Sequence, residues 1–65
     1  MTIDVDTLRE FQARAERIML IDDIDEYTIQ LKKDYAYIEQ VGRNVSDREV
    51  YRSMYDNTLK ELDNA

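Results

Sequence analysis

Four carboxylates lie within five positions of this sequence and are its densest group of reactive side chains. They are Asp22, Asp23, Asp25 and Glu26, and they follow an apolar run that begins at Ile18. Such a run could ligate a hard cation, but the EF-hand calcium loop requires a Gly that is missing here. Acid–base catalysis would need burial and polar companions such as His, Asn or Ser. The run therefore predicts a solvent-exposed acidic face without a metal.

Nucleophilic catalysis lacks its usual groups. The chain has no Cys and no His, so the common means of activating Ser46 or Ser53 are missing, and the usual structural zinc sites are excluded. A Gly-rich phosphate loop is excluded as well, because the sequence has a single Gly. We therefore expect the protein not to be an enzyme and to need no cofactor.

Composition bounds the fold class. The 65 residues include one Gly and no Pro, and 37% are charged, which favours an all-α fold in a single domain over 1–65. A chain of this length buries only about 60% of its unfolded surface, so association is an expected source of stability. The sequence has neither a membrane-spanning run nor a secretion signal, which predicts a soluble cytoplasmic protein.

The first helix is predicted to begin between residues 4 and 7. Thr7 and Glu10 fit a Thr-x-x-Glu capping box, which satisfies free N–H groups at a helix start. The helix carries one apolar stripe at spacings of three and four, which comprises Leu8, Phe11, Ala15 and Ile18. Such a stripe is typical of a helix with one buried face.

A turn over 42–46 and a shorter last helix over about 47–63 are predicted next. Gly42 fits a left-handed helix C-cap, and Ser46 with Glu49 fits a second capping box. The apolar positions of the last helix comprise Val50, Tyr51, Met54, Tyr55, Leu59 and Leu62.

The apolar face changes sides between these two regions. At about 100° per residue, the first stripe would continue into Asp22, whereas the next dense stripe lies roughly opposite to it. This second stripe comprises Leu20, Ile24, Tyr27, Leu31, Tyr35 and Ile38. Either one helix continues over about 6–41, or it breaks near 21–23 with Asp22 or Asp23 capping a new helix. The lack of Gly, Pro, Ser and Asn over 18–27 favours the continuous helix.

A continuous helix would be roughly 50 Å long, too long for the last helix to cover both stripes. The second stripe would then bind a second chain in a coiled coil, so helical hairpins that form a dimer or higher oligomer are expected. If the helix breaks instead, a compact bundle could be monomeric.

Two segments resemble GapR-type nucleoid-associated proteins. LREFQARAERI (Leu8–Ile18) is similar to the start of that family's first helix, and LKKDYAYIEQVG (Leu31–Gly42) is similar to a segment that ends at a Gly. Two extra residues between the matches would turn a helix by about 200°, in agreement with the change of face. The resemblance implies a helical oligomer that clamps duplex DNA. The implied phosphate contacts are Arg9, Arg14, Arg17, Lys32 and Lys33.

These features favour a non-enzymatic protein that self-associates and binds another protein, as an inhibitor, adaptor or assembly factor of phage or mobile-element type. The second stripe is its predicted interface. GapR-like DNA binding is one alternative, although the net charge of −6 disfavours it. The other is an acidic mimic of nucleic acid, in which the carboxylates of 22–26 block a basic nucleic-acid-binding protein.

Overall fold

The computed structural model describes residues 3–64, and this part of the chain forms three α-helices. We name them α1 (Val5–Ile18), α2 (Ile24–Val41) and α3 (Val45–Asp63). The predicted all-α fold class is confirmed. The single domain predicted over 1–65 also includes residues 1, 2 and 65, which lie outside the described part.

The continuous helix expected over 6–41 is not formed, because the chain turns between α1 and α2. The turn begins with backbone hydrogen bonds that span three residues instead of four. The N–H of Leu20 donates to the carbonyl of Arg17, and the N–H of Ile21 donates to the carbonyl of Ile18, both at 3.1 Å. These i to i−3 bonds tighten the end of the helix and redirect the chain. The structure thus has the second of the two arrangements that the sequence allows.

Asp23 is the residue that starts α2. Its backbone is extended, and its carboxylate accepts hydrogen bonds from the N–H groups of Asp25 at 2.8 Å and Glu26 at 3.4 Å. An Asp side chain in this position satisfies donors that have no partner inside the helix. This local competition with the helical backbone breaks the helix even though the segment has neither Gly nor Pro.

The other two helices begin earlier than their predicted capping boxes require, α1 by three residues and α3 by two. Asp4, not Thr7, caps α1, and its carboxylate accepts from the N–H of Asp6 and from the Thr7 hydroxyl, both at 3.0 Å. Asn44, not Ser46, caps α3. Asp and Asn outrank Thr as caps, so where several candidates stand close together the pattern leaves the choice open.

Gly42 ends α2 in a way that the sequence does not predict. Its φ of −72° and ψ of 121° are extended, so the expected left-handed cap is wrong. The missing side chain serves close packing instead, because a Cβ at this position would collide with Cγ of Arg48. Gly42 therefore lets the start of α3 lie directly against the end of α2.

The helices pack with α2 antiparallel to the other two, which run parallel to each other. The ring of Phe11 in α1 lies 5.3 Å from that of Tyr51 in α3 and 5.7 Å from that of Tyr37 in α2. The buried apolar residues are Phe11, Ala15, Ile18, Ile38, Tyr51 and Tyr55. In this arrangement the ends of α1 and α3 meet the beginning of α2 at one end of the bundle.

Replacement of the α2 cap tests the break. Asp23→Ala should lower the free energy of unfolding by about 1 kcal/mol, because two N–H groups lose their acceptor. Asp22→Ala is the matched control, since it removes the same charge from the exposed neighbouring position and should cost far less. Urea unfolding followed by circular dichroism measures both variants. Equal losses would contradict the capping role of Asp23.

Candidate functional site

An open groove lies at the end of the bundle where α1 and α3 end and α2 begins. Its volume is about 450 Å³. Its apolar lining consists of Met19, Ile21, Ile24, Tyr27 and Leu59, and its polar lining of Asp22, Lys60 and Asp63. We call this set the end groove.

One large aliphatic side chain of the end groove is left in water. Ile24 lines the groove and is 73% exposed. Leu20 is 79% exposed and lies between the lining residues Met19 and Ile21 in sequence, but it is not itself part of the lining. Single exposed apolar residues are normal on a protein surface, but Ile24 belongs to a cavity with further apolar walls, and such patches mark interaction sites. The end groove thus leaves an apolar surface uncovered.

The structure divides the predicted interface stripe into an exposed and a buried part. The exposed part comprises Leu20 and Ile24, together with the half-buried Tyr27. The buried part comprises Leu31 and Tyr35, which pack against the core, and Ile38, which lies inside it. Ile38 is unavailable to a partner, because α1 and α3 already cover this side of α2.

Three apolar residues of the end groove are not in the predicted interface. Met19 and Ile21 lie outside the helices, where a helical wheel no longer describes which way a side chain points. Leu59 has the spacing of the α3 core stripe. The available signal is the run of four consecutive apolar residues over 18–21, which cannot all face one side of a helix.

The predicted acidic face is exposed at every one of its positions, which are Asp22, Asp23, Asp25 and Glu26. Asp22 lines the end groove, and the carboxylate of Asp23 is occupied in capping α2. Over residues 3–64, acidic side chains do not gather in groups of three that could hold a metal ion. The face adds negative charge beside the groove.

The residues implied as DNA contacts do not form one equivalent set. Arg9, Arg17, Lys32 and Lys33 are exposed. Arg14 differs, because its guanidinium bonds to Asp34 at 2.8 Å and lies 4.3 Å from the centre of the Tyr37 ring. An arginine held in this way is already neutralised inside the protein and has little left to offer a phosphate.

Asp34 is a buried carboxylate that sequence reasoning missed. It is 0% exposed, and three side chains donate to it. Arg14 of α1 donates at 2.8 Å, Gln30 of α2 at 2.9 Å and Tyr55 of α3 at 2.6 Å. A buried charge is tolerated only when paired and hydrogen-bonded, and here both conditions are met. Asp34 acts as a clamp between all three helices.

The burial of Asp34 could have been predicted from its spacing to neighbouring apolar residues. Leu31, Asp34 and Ile38 follow spacings of three and four, which place Asp34 on the buried side of α2. Arg14 stands in the same way between Phe11 and Ile18 on α1. Opposite charges at core positions of two predicted helices indicate a buried ion pair.

Tyr35 makes a second, more exposed link between α2 and α3. Its hydroxyl donates to the carboxylate of Asp56, and Arg52 lies 5.6 Å from the centre of its ring. Burial, followed by the hydrogen bond to the Asp56 carboxylate, raises the pKa of Tyr35 to about 12. Burial likewise raises the pKa of Tyr55, with Asp34 as its hydrogen-bond acceptor.

Comparison with known proteins gives no match to a family model, to a curated protein or to a solved structure. The resemblance to GapR-type proteins thus stays a prediction from two short segments. Between residues 3 and 64, every helix is too short or too polar to span a bilayer.

The contribution of Asp34 to stability can be compared with that of Asp56, which accepts from a Tyr hydroxyl at an exposed position. Asp34→Ala should lower the free energy of unfolding by about 3–5 kcal/mol, because it strands a half-buried guanidinium and leaves two further donors unpaired. Asp56→Ala also removes an acceptor of a Tyr hydroxyl, but at an exposed position, where about 1 kcal/mol or less is expected. Urea unfolding compares the two. Similar losses would contradict the clamp.

The two tyrosines predict sensitivity to alkali. Their folded-state pKa values exceed the unfolded value of 10.0, so their contribution to stability is complete below pH 10 and declines as the pH rises toward 12. The free energy of unfolding, measured by urea titration on both sides of pH 10, should therefore fall above it. Tyr35→Phe with Tyr55→Phe should flatten this decline. An unchanged decline in the double variant would assign it to other groups.

Proposed function

We propose that the protein is a non-enzymatic helical interaction protein that binds another protein through the end groove. The observation that carries this proposal is the exposure of Ile24 in the apolar lining of the end groove, with Leu20 also exposed in the adjoining turn. Only six apolar residues are counted as buried in the core between residues 3 and 64, so two more aliphatic side chains would have added substantially to stability. Their placement in water is explained if a partner covers them, as in an inhibitor, adaptor or assembly factor.

Self-association is the competing use of the same surface. The sequence argument for an oligomer depended on a continuous helix with an uncovered second stripe. In the folded chain, α1 and α3 cover Ile38 and much of Leu31 and Tyr35, so a second copy is no longer required for that stripe. A second copy would have to use Leu20 and Ile24.

The two alternatives that involve nucleic acid use other surfaces. A DNA-binding surface would rely on Arg9, Arg17, Lys32 and Lys33, without Arg14 and against a net charge of −6. A mobility shift at low salt that yields no complex would exclude it, because phosphate contacts are strongest there. A nucleic-acid mimic would rely on the acidic face. Partner binding that survives Asn and Gln substitutions over 22–26 would exclude that function.

Substitution at Ile24 tests the proposed docking surface. Peptides selected from a random library on the folded protein should lose at least tenfold in affinity for Ile24→Glu, because about 1.5–3 kcal/mol of apolar burial is removed. The matched control is Ile29→Glu, which places the same charge on an aliphatic position of α2 that is 55% exposed and lies outside the end groove. Fluorescence anisotropy measures the affinities.

Both variants must first retain the circular dichroism and the urea midpoint of the parent, so that a lost affinity reports the surface and not the fold. The proposal fails if no peptide is enriched. It also fails if the enriched peptides bind Ile24→Glu and Ile29→Glu equally well.

A further inference from the structure

We propose that the occupant of the end groove is an amphipathic helix of another protein that carries Lys or Arg beside its apolar anchors. This inference rests on the proposed function of the end groove as a protein-binding surface. It adds the chemical class of the partner, and the argument comes from charge, helix direction and the shape of the groove.

The charged side chains that line the groove are mostly acidic. Asp22 and Asp63 line it, and Lys60 is the basic residue among its lining groups. The adjacent cap and first turn of α2 add three exposed carboxylates at 23, 25 and 26. Arg17 lines a neighbouring cleft that shares Ile21 with the groove. Two carboxylates in the lining and three more next to it along the chain thus outnumber the cations at this end of the bundle, and complementary charge on the partner would be attracted.

The direction of the helices adds to the negative electrostatic potential of these carboxylates. α1 and α3 both end at the groove, and a helix C-terminus carries a partial negative charge of about half an electron. The one helix that begins there, α2, has two of its free N–H groups, those of Asp25 and Glu26, occupied by the Asp23 carboxylate. The backbone therefore adds negative potential to that of the side chains, which favours ammonium or guanidinium groups.

The shape of the groove favours a helix. The described residues 3–64 form helices and turns, so this part of the chain offers no sheet edge to which an extended peptide could add a strand. A helix satisfies its own backbone hydrogen bonds and presents apolar anchors three or four residues apart. A groove of about 450 Å³ with open sides accepts such anchors and leaves the flanking positions at the acidic rim.

A second copy of the chain is poorly matched to the negative electrostatic potential at the end groove. Each copy has a net charge of −6 and would bring the same carboxylates to the contact if two end grooves faced each other. Like charges opposed at an interface destabilise it. A basic partner from another protein avoids this repulsion.

Two helical peptide libraries with the same apolar anchor positions test the inference. In one library the flanking positions are Lys and Arg, and in the other they are Asp and Glu. Selection on the full chain should enrich the basic library, and its best peptides should bind at least about fivefold tighter than their acidic counterparts. This difference should shrink with added salt and in the double variant Asp22→Asn with Asp63→Asn. Ile29→Glu serves as the surface control.

The possible outcomes separate the two proposals. If both libraries bind equally and Ile24→Glu abolishes both, the basic partner is overturned while the docking surface stands. If basic peptides bind Ile24→Glu as well as the parent, the groove is overturned in favour of a charge-only contact. If neither library binds, both proposals fall. Sedimentation that reveals self-association abolished by Ile24→Glu would assign the groove to a second copy and overturn the basic partner.

Discussion

The carboxylate of Asp34 joins all three helices at one buried point, and the rest of the structure depends on how it is satisfied. Its donors are Arg14 from α1, Gln30 from its own helix and Tyr55 from α3. Removing a carboxylate from water is expensive, and the contacts recover this only when the geometry is right. If α2 slid by one turn, the carboxylate would lose its donors from both neighbours. The clamp therefore selects one alignment of the helices, which apolar contacts between Leu, Ile and Tyr alone specify weakly.

The alignment set at Asp34 determines what is left uncovered at the end of the bundle. Once residue 34 faces residues 14 and 55, the beginning of α2 lies at the ends of α1 and α3. Ile24 then lines the end groove instead of the core, and Leu20 lies in the turn that connects α1 and α2. The exposed aliphatic pair is thus a geometric result of where the clamp stands along α2. The position of Asp34 along α2 therefore determines both the buried contact among the helices and the residues left exposed at the end groove.

Periodicity and composition were sufficient to predict the helical class, and the buried Tyr51 and Tyr55 lie on the stripe predicted for the last helix. α1 begins at Val5, within the predicted interval of 4–7. The residue that caps each helix was not predictable from the sequence alone, because Asp4, Asp23 and Asn44 compete with other polar residues within three positions of them. The turn over 19–23 depends on the same competition between a carboxylate and the backbone. A helical wheel assumes that the helix continues, so it could assign Leu20 and Ile24 to the stripe of Ile38 but could not separate them from it. The burial of Asp34 was not predicted, because charged side chains ordinarily lie on the protein surface.

The parallel course of α1 and α3 has a practical consequence for attaching probes to the molecule. The two helices point the same way in a body that measures 38 × 23 × 16 Å. The beginning of α1 therefore lies at the end remote from the groove, whereas Asp63, the last residue of α3, is part of its rim. A dye, tether or affinity tag attached near Val5 leaves the binding surface open. The same group attached after α3 stands in the path of any incoming helix and turns the molecule into a reporter of its own occupancy.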